Sequence, residues 1–66
     1  MRRTDFWERL GEVFGPVYAT SVAKDQVFAT LGGRTIDRAM AEGEEVHVIW
    51  RAVVEQYSDR VPARLR

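Results

Sequence analysis

Glu44 and His47 stand at the Glu-x-x-His spacing that puts a carboxylate and an imidazole on one helix face, as in di-iron bundles. Such a centre needs a second copy of the motif and two further inward glutamates. This sequence holds one histidine and no cysteine, so it also lacks the ligands for a closed structural zinc site. His47 is expected on the surface, beside the acidic start of a helix, with no metal. A hydrolytic triad would pair it with Ser21 or Ser58, but no strand–turn–helix elbow presents either serine. Glu44 and Glu45 are adjacent and diverge on a helix, so they do not act as an acid–base pair. No catalytic, cofactor-binding or metal-binding residue is assigned, no cofactor is expected, and the chain is read as not an enzyme.

Leu31-Gly32-Gly33-Arg34-Thr35 raises a second possibility, a glycine-rich phosphate cradle. Phosphate loops place their glycines ahead of a helix, after a strand, with Lys and Ser/Thr at fixed positions. Here the glycines follow a helical pattern and no Gly-Lys-Ser/Thr occurs. Gly32 suits a left-handed residue closing a helix, and Thr35 suits the N-cap of the next. The pair reads as a joint; the alternative is that Arg34, with the free N–H groups behind Thr35, holds an anion. Asp25 is a further polar residue placed near the apolar side of its helix. It is read as a structural buttress paired with Trp7, Tyr18, Arg34, Trp50 or Arg51, or else as a binding-site acid.

Four helical stretches must position these residues. The first starts after Thr4 as N-cap and carries Phe6, Leu10, Val13 and Phe14 on one face, widened by Trp7. Gly11 within it suggests a close backbone approach. Gly15-Pro16 breaks the chain, with Pro16 fitting the first position of the second helix. That helix, about 16–31, spreads Val17, Tyr18, Val22, Val27, Phe28 and Leu31 around its cylinder, so it is placed at the centre of the bundle. A short third helix, 36–42, turns Ile36, Ala39 and Met40 inward and ends at Gly43. The fourth, 44–57, has the cleanest period: Val46, Ile49, Trp50, Val53, Val54 and Tyr57. Pro62 stops any continuation, and Val61 and Leu65 are expected to pin the tail to the core.

The balance of 45% hydrophobic and 30% charged residues is that of a globular chain, and no apolar run approaches a membrane span. The absence of cysteine favours the cytoplasm. With 66 residues and no disulfide, stability must come from apolar packing. Net charge is zero but uneven. Residues 35–59 carry six acids against Arg38 and Arg51, and residues 60–66 carry Arg60, Arg64 and Arg66 with no acid. The tail arginines are expected near those acids; the alternative is that the basic tail reaches for an anion. Residues 35–57 also have helix-turn-helix spacing, Ala39…Gly43…Ile49. The reading face would be His47, Arg51 and Glu55, and the acidic opening Glu44-Glu45 would repel DNA phosphates.

Asp25-Gln26-Val27, Leu31-Gly32-Gly33-Arg34-Thr35, Trp50-Arg51-Ala52-Val53 and Val61-Pro62 together resemble an uncharacterised family of short proteins, a domain of unknown function, from high-GC Gram-positive bacteria. The resemblance covers nearly the whole chain. It departs at the head of the fourth helix, where the family usually has proline, and at Val54, where it often has cysteine. The resemblance implies a compact helical domain, supplies no catalytic residue, and associates such chains with recombination genes.

The sequence therefore predicts an all-α fold: one domain, 1–66, of four short helices with the second helix central and the C-terminal tail packed back. The function expected first is a non-enzymatic interaction module binding an unidentified protein partner or itself, with no membrane association. The alternative is a DNA-associated accessory protein built on the degenerate helix-turn-helix. Candidate structural or interaction residues are Asp25, Gly32, Gly33, Arg34, Thr35, Trp50 and Arg51.

Overall fold

The computed structural model describes all residues, Met1–Arg66. Four helices form, α1 (Arg3–Phe14), α2 (Pro16–Asp25), α3 (Ile36–Ala41) and α4 (Val46–Gln56). Between α2 and α3 lie two short strands, β1 (Val27–Phe28) and β2 (Arg34–Thr35), paired antiparallel with Val27 opposite Thr35 and Phe28 opposite Arg34. The fold is thus mostly helical rather than purely all-α. A 3-10 turn, Ala29–Leu31, joins the strands, and a second, Ala63–Leu65, closes the chain.

The second helix stops at Asp25, six residues short of the expected end, and burial explains why. Its inward stripe is Ala19, Val22 and Ala23. A helix continued at about 100° per residue would aim Phe28 roughly 180° away from Ala19, into water. The chain instead turns extended at Gln26 and brings Phe28 and Leu31 into the core, where both are fully buried. Small inward residues let α1 and α2 approach closely, and the large ones, Val17 and Tyr18, point outward at 86% and 53% exposure. The second helix is therefore peripheral. The central place belongs to α4, which buries Ile49, Trp50, Ala52 and Val53 and packs against α1, α3, β1 and the 3-10 turn.

Local signals set the remaining ends. The first helix begins at Arg3, slightly earlier than a Thr4 cap requires, with the Asp5 carboxylate accepting from the Arg2 backbone N–H at 3.3 Å. Thr35 caps α3 as its sequence position implies: its hydroxyl accepts from the Arg38 N–H at 3.1 Å. Gly43 ends α3 in a complete Schellman motif, Glu44 N–H to the Ala39 carbonyl and Gly43 N–H to the Met40 carbonyl. The Gly32-Gly33 joint repeats that pattern on the 3-10 turn. Gly32 is left-handed at φ 66°, its N–H reaches the Ala29 carbonyl, and the Gly33 N–H reaches the Phe28 carbonyl.

The tail docks. Val61 and Leu65 are buried, and the Trp50 indole N–H donates to the Leu65 carbonyl at 2.8 Å inside the core. Phe6 meets the Trp50 ring edge-on at 5.8 Å, while Tyr57 bridges Phe14 at 5.0 Å and Phe28 at 6.0 Å. The tail arginines do not meet the acids of residues 35–59. Arg64 pairs with Glu12 of α1 at 3.0 Å, and the Arg60 guanidinium lies 4.8 Å over the Phe14 ring. The reason is geometric: Val61 and Leu65 seat the tail beside α1, and of those acids Glu42 and Glu44 are already paired with Arg34 and Arg38.

Truncation after Ser58 is expected to lower the melting temperature sharply, because burying each of Val61 and Leu65 contributes about 1.5–3 kcal/mol. High salt should change it little, since exposed ion pairs contribute only about 0–1 kcal/mol. Gly32→Ala should destabilise by about 1 kcal/mol through the left-handed backbone alone, since no atom lies within 4 Å of the added Cβ. Thermal unfolding of the two variants checks both.

Candidate functional site

Arg34 is the most heavily engaged polar residue. The β-ladder holds its backbone, and its side chain runs across the loop from α3 to α4. Its Nε donates to the Leu31 carbonyl at 2.7 Å, Nη1 to Glu42 at 2.9 Å and Nη2 to Glu44 at 2.7 Å. Arg38 reaches the other oxygen of Glu42 at 3.0 Å. Hydrogen bonds from Arg38 and Arg34 hold the Glu42 carboxyl below its usual range, and the bond from Arg34 does the same for Glu44. Those two glutamates in turn raise Arg34. The guanidinium is thus spent on the protein's own carboxylates, which overturns the reading of Arg34 as an anion holder. Gly32, Gly33, Arg34 and Thr35 work together as a structural joint.

The same pairing removes Glu44 from any metal constellation with His47. His47 is exposed, and its nearest acid is Glu45 at 3.9 Å. Asp25 is exposed and forms no side-chain hydrogen bond or ion pair, so it is neither buried buttress nor core partner of Trp50. It lies one turn past Val22 but off the inward stripe, because that stripe follows the alanines rather than Tyr18. Trp50 is buried, with its indole committed to the tail, and Arg51 is exposed with no ion pair.

Two concave surfaces remain. The larger, about 600 Å³, is an open groove between α1 and α2 bounded by Trp7, Glu8, Gly11, Glu12, Pro16 and Thr20. The groove exists because Gly11 carries no side chain and Ala19 a small one, so neither fills the space between the helices. The smaller, about 240 Å³, lies between α1, α4 and the tail and gathers Arg9, His47, Arg51 and Arg66 over Trp50 and Val54. Of the expected candidates, only Trp50 and Arg51 come together there. Arg9 and Arg66 were not expected in a site, since they stand 57 positions apart and only the docked tail unites them. Nor was the groove: Gly11 reads in the sequence as a close backbone approach, whereas a Cβ there would meet only Pro16 Cα at an ordinary 3.8 Å, and the space it leaves belongs to the groove.

A family model described as "Protein of unknown function (DUF3046)" matches residues 1–64. No curated protein and no solved structure matches the chain. No helix is long and apolar enough to cross a membrane.

Glu44→Gln isolates the joint. The stabilisation from a carboxyl held below its ordinary value is present above about 4.5 and lost as pH falls through the lower folded value. Wild type should therefore lose stability on acidification below that point, and Glu44→Gln should start a few degrees lower at neutral pH and lose less on acidification. Melting temperature against pH for both proteins measures the difference.

Proposed function

We propose that this chain, which belongs to the DUF3046 family, is a small non-enzymatic interaction module whose α1–α2 groove receives a segment of a protein partner in the cytoplasm. The observation that carries the reading is the placement of exposed apolar surface. Trp7, Val17 and Tyr18, three of the five exposed large apolar side chains, belong to the α1–α2 pair; Trp7 lines the groove itself, and Val17 and Tyr18 lie outside its lining on α2. Aromatic residues in a shallow groove are the usual anchors of protein recognition. Glu8 and Glu12 rim that groove, so a segment presenting apolar residues flanked by Lys or Arg complements it. Glu12 already accepts from Arg64 of the tail at 3.0 Å, so Glu8, which forms no ion pair within the chain, is the rim acid open to a partner's cation.

The non-enzymatic part is supported by the state of the ionisable groups. No polar or charged residue is buried. The three perturbed groups, Arg34, Glu42 and Glu44, are held more firmly in their ordinary charge states, the reverse of what acid–base catalysis at neutral pH uses. The second reading, a DNA-associated accessory protein using residues 35–57, draws support from the cations around Arg51. Glu45, exposed at the head of α4, opposes it.

Gly11→Ala tests the groove without damaging the fold. Replacing a mid-helix glycine should stabilise α1 by up to about 1 kcal/mol, and the new Cβ meets Pro16 Cα at an ordinary 3.8 Å. It also raises the groove floor. Crosslinked capture from the native bacterium with wild type, Gly11→Ala and Thr20→Glu as baits should show one protein lost from both variants, since Thr20 is exposed and lines the groove. Sedimentation over a range of concentrations shows whether that partner is a second copy. Identical capture by all three baits, with a monomer at every concentration, would sink the proposal.

A further inference from the structure

We propose that the cavity between α1, α4 and the tail binds a phosphate group. Four basic side chains from three separated parts of the chain converge on it: Arg9 from α1, His47 and Arg51 from α4, and Arg66 from the tail. No carboxylate lines it. Cations that meet elsewhere in this molecule are matched, Arg34 and Arg38 by Glu42 and Glu44, and Arg64 by Glu12. Arg9 and Arg51 have no acid within 4.0 Å, although Asp5 and Glu55 stand at the helical spacing that would permit one. Asp5 instead serves the Arg2 backbone N–H.

Arg66 is held in place before any ligand arrives. Its Nη2 donates to the Ser58 carbonyl at 2.6 Å and its Nε to the Val61 carbonyl at 3.2 Å, leaving Nη1 uncommitted. A side chain already ordered loses less entropy on binding. The Trp50 N–H is used by Leu65, so the floor of Trp50 and Val54 offers apolar surface and no competing donor. A wall of guanidinium forks above an apolar floor matches a phosphate, whose free oxygens point in different directions, better than a planar carboxylate, which one arginine satisfies. At about 240 Å³ the space fits a phosphate and its adjoining sugar rather than a dinucleotide. That group can come from a small phosphorylated molecule or from a nucleic-acid backbone. The inference is independent of the groove, because Arg9 lies roughly 160° around α1 from Gly11.

The test titrates the isotope-labelled full chain at low salt with inorganic phosphate, with adenosine monophosphate and with a ten-nucleotide single-stranded DNA. Saturable shifts are expected at the Trp50 indole, His47 and the arginine side chains of the cavity. Arg9→Gln and Arg51→Gln should each weaken binding roughly tenfold or more, the usual effect of losing a charged hydrogen bond. Arg64→Gln, outside the cavity, should leave it unchanged. Saturation by phosphate or the mononucleotide assigns a small ligand. Saturation by the oligonucleotide alone, with the salt slope falling by about 0.7 in Arg51→Gln, assigns a nucleic-acid backbone. Absence of localised shifts with all three probes, or shifts that survive both substitutions in folded variants, overturns the proposal.

Discussion

Phe28 has to be inside, and a helix running on from Pro16 would put it outside. That conflict sets the course of the chain from residue 26 to residue 46. Releasing the helix at Gln26 brings Phe28 and Leu31 into the core and obliges the backbone to find new hydrogen-bond partners, which it does by pairing Val27–Phe28 with Arg34–Thr35. Gln56 of α4 reinforces the same segment by donating to the Val27 carbonyl at 3.2 Å. The ladder then fixes Arg34 where it reaches Glu42 and Glu44, two of the three glutamates of the α3–α4 loop. The loop so clamped sets where α4 begins, and α4 in turn carries both the central core residues and the exposed Arg51. One aromatic ring thus determines the position of a joint, a salt-bridge cluster and a surface.

Charge is divided along the same lines. The acid-rich segment from 35 to 59 does not draw in the basic tail, because Arg34 and Arg38 satisfy Glu42 and Glu44 locally. The tail follows its apolar residues instead and settles against α1 and α4. A neutral chain is thereby resolved into a groove rimmed by Glu8 and Glu12 on one flank of α1 and a cation-lined cavity on the other. A net charge of zero carries no information about either surface.

What was legible in the sequence was what a single element determines by itself. The period of α4, the caps at Thr35 and Gly43, the left-handed Gly32, and the docking of Val61 and Leu65 all follow from residue type and spacing, and the structure places them so. Misreadings arose where two elements compete for one side chain. Val17, Tyr18, Val22, Val27, Phe28 and Leu31 read as one helix apolar all round, and no local signal announces that alanines would form its inner face. The error propagated to Asp25, whose placement beside Tyr18 meant burial only if Tyr18 was buried. The surfaces were the least legible, since Arg9 and Arg66 become neighbours only through the Trp50–Leu65 contact.

The buried set contains no polar residue, and that bears on what a domain of this size does. Shifting a side chain's pKa toward neutrality takes burial, and an uncompensated buried charge costs several kcal/mol. A 66-residue core without disulfides has little stability to set against such a cost. Its ionisable residues therefore stay at the surface. Gly11 fits the same logic from the opposite side. It weakens α1 in a chain with little stability to spare, and nothing in its packing requires the missing side chain. What the missing side chain does provide is a lower floor beneath Trp7 and Glu8, in the groove between α1 and α2.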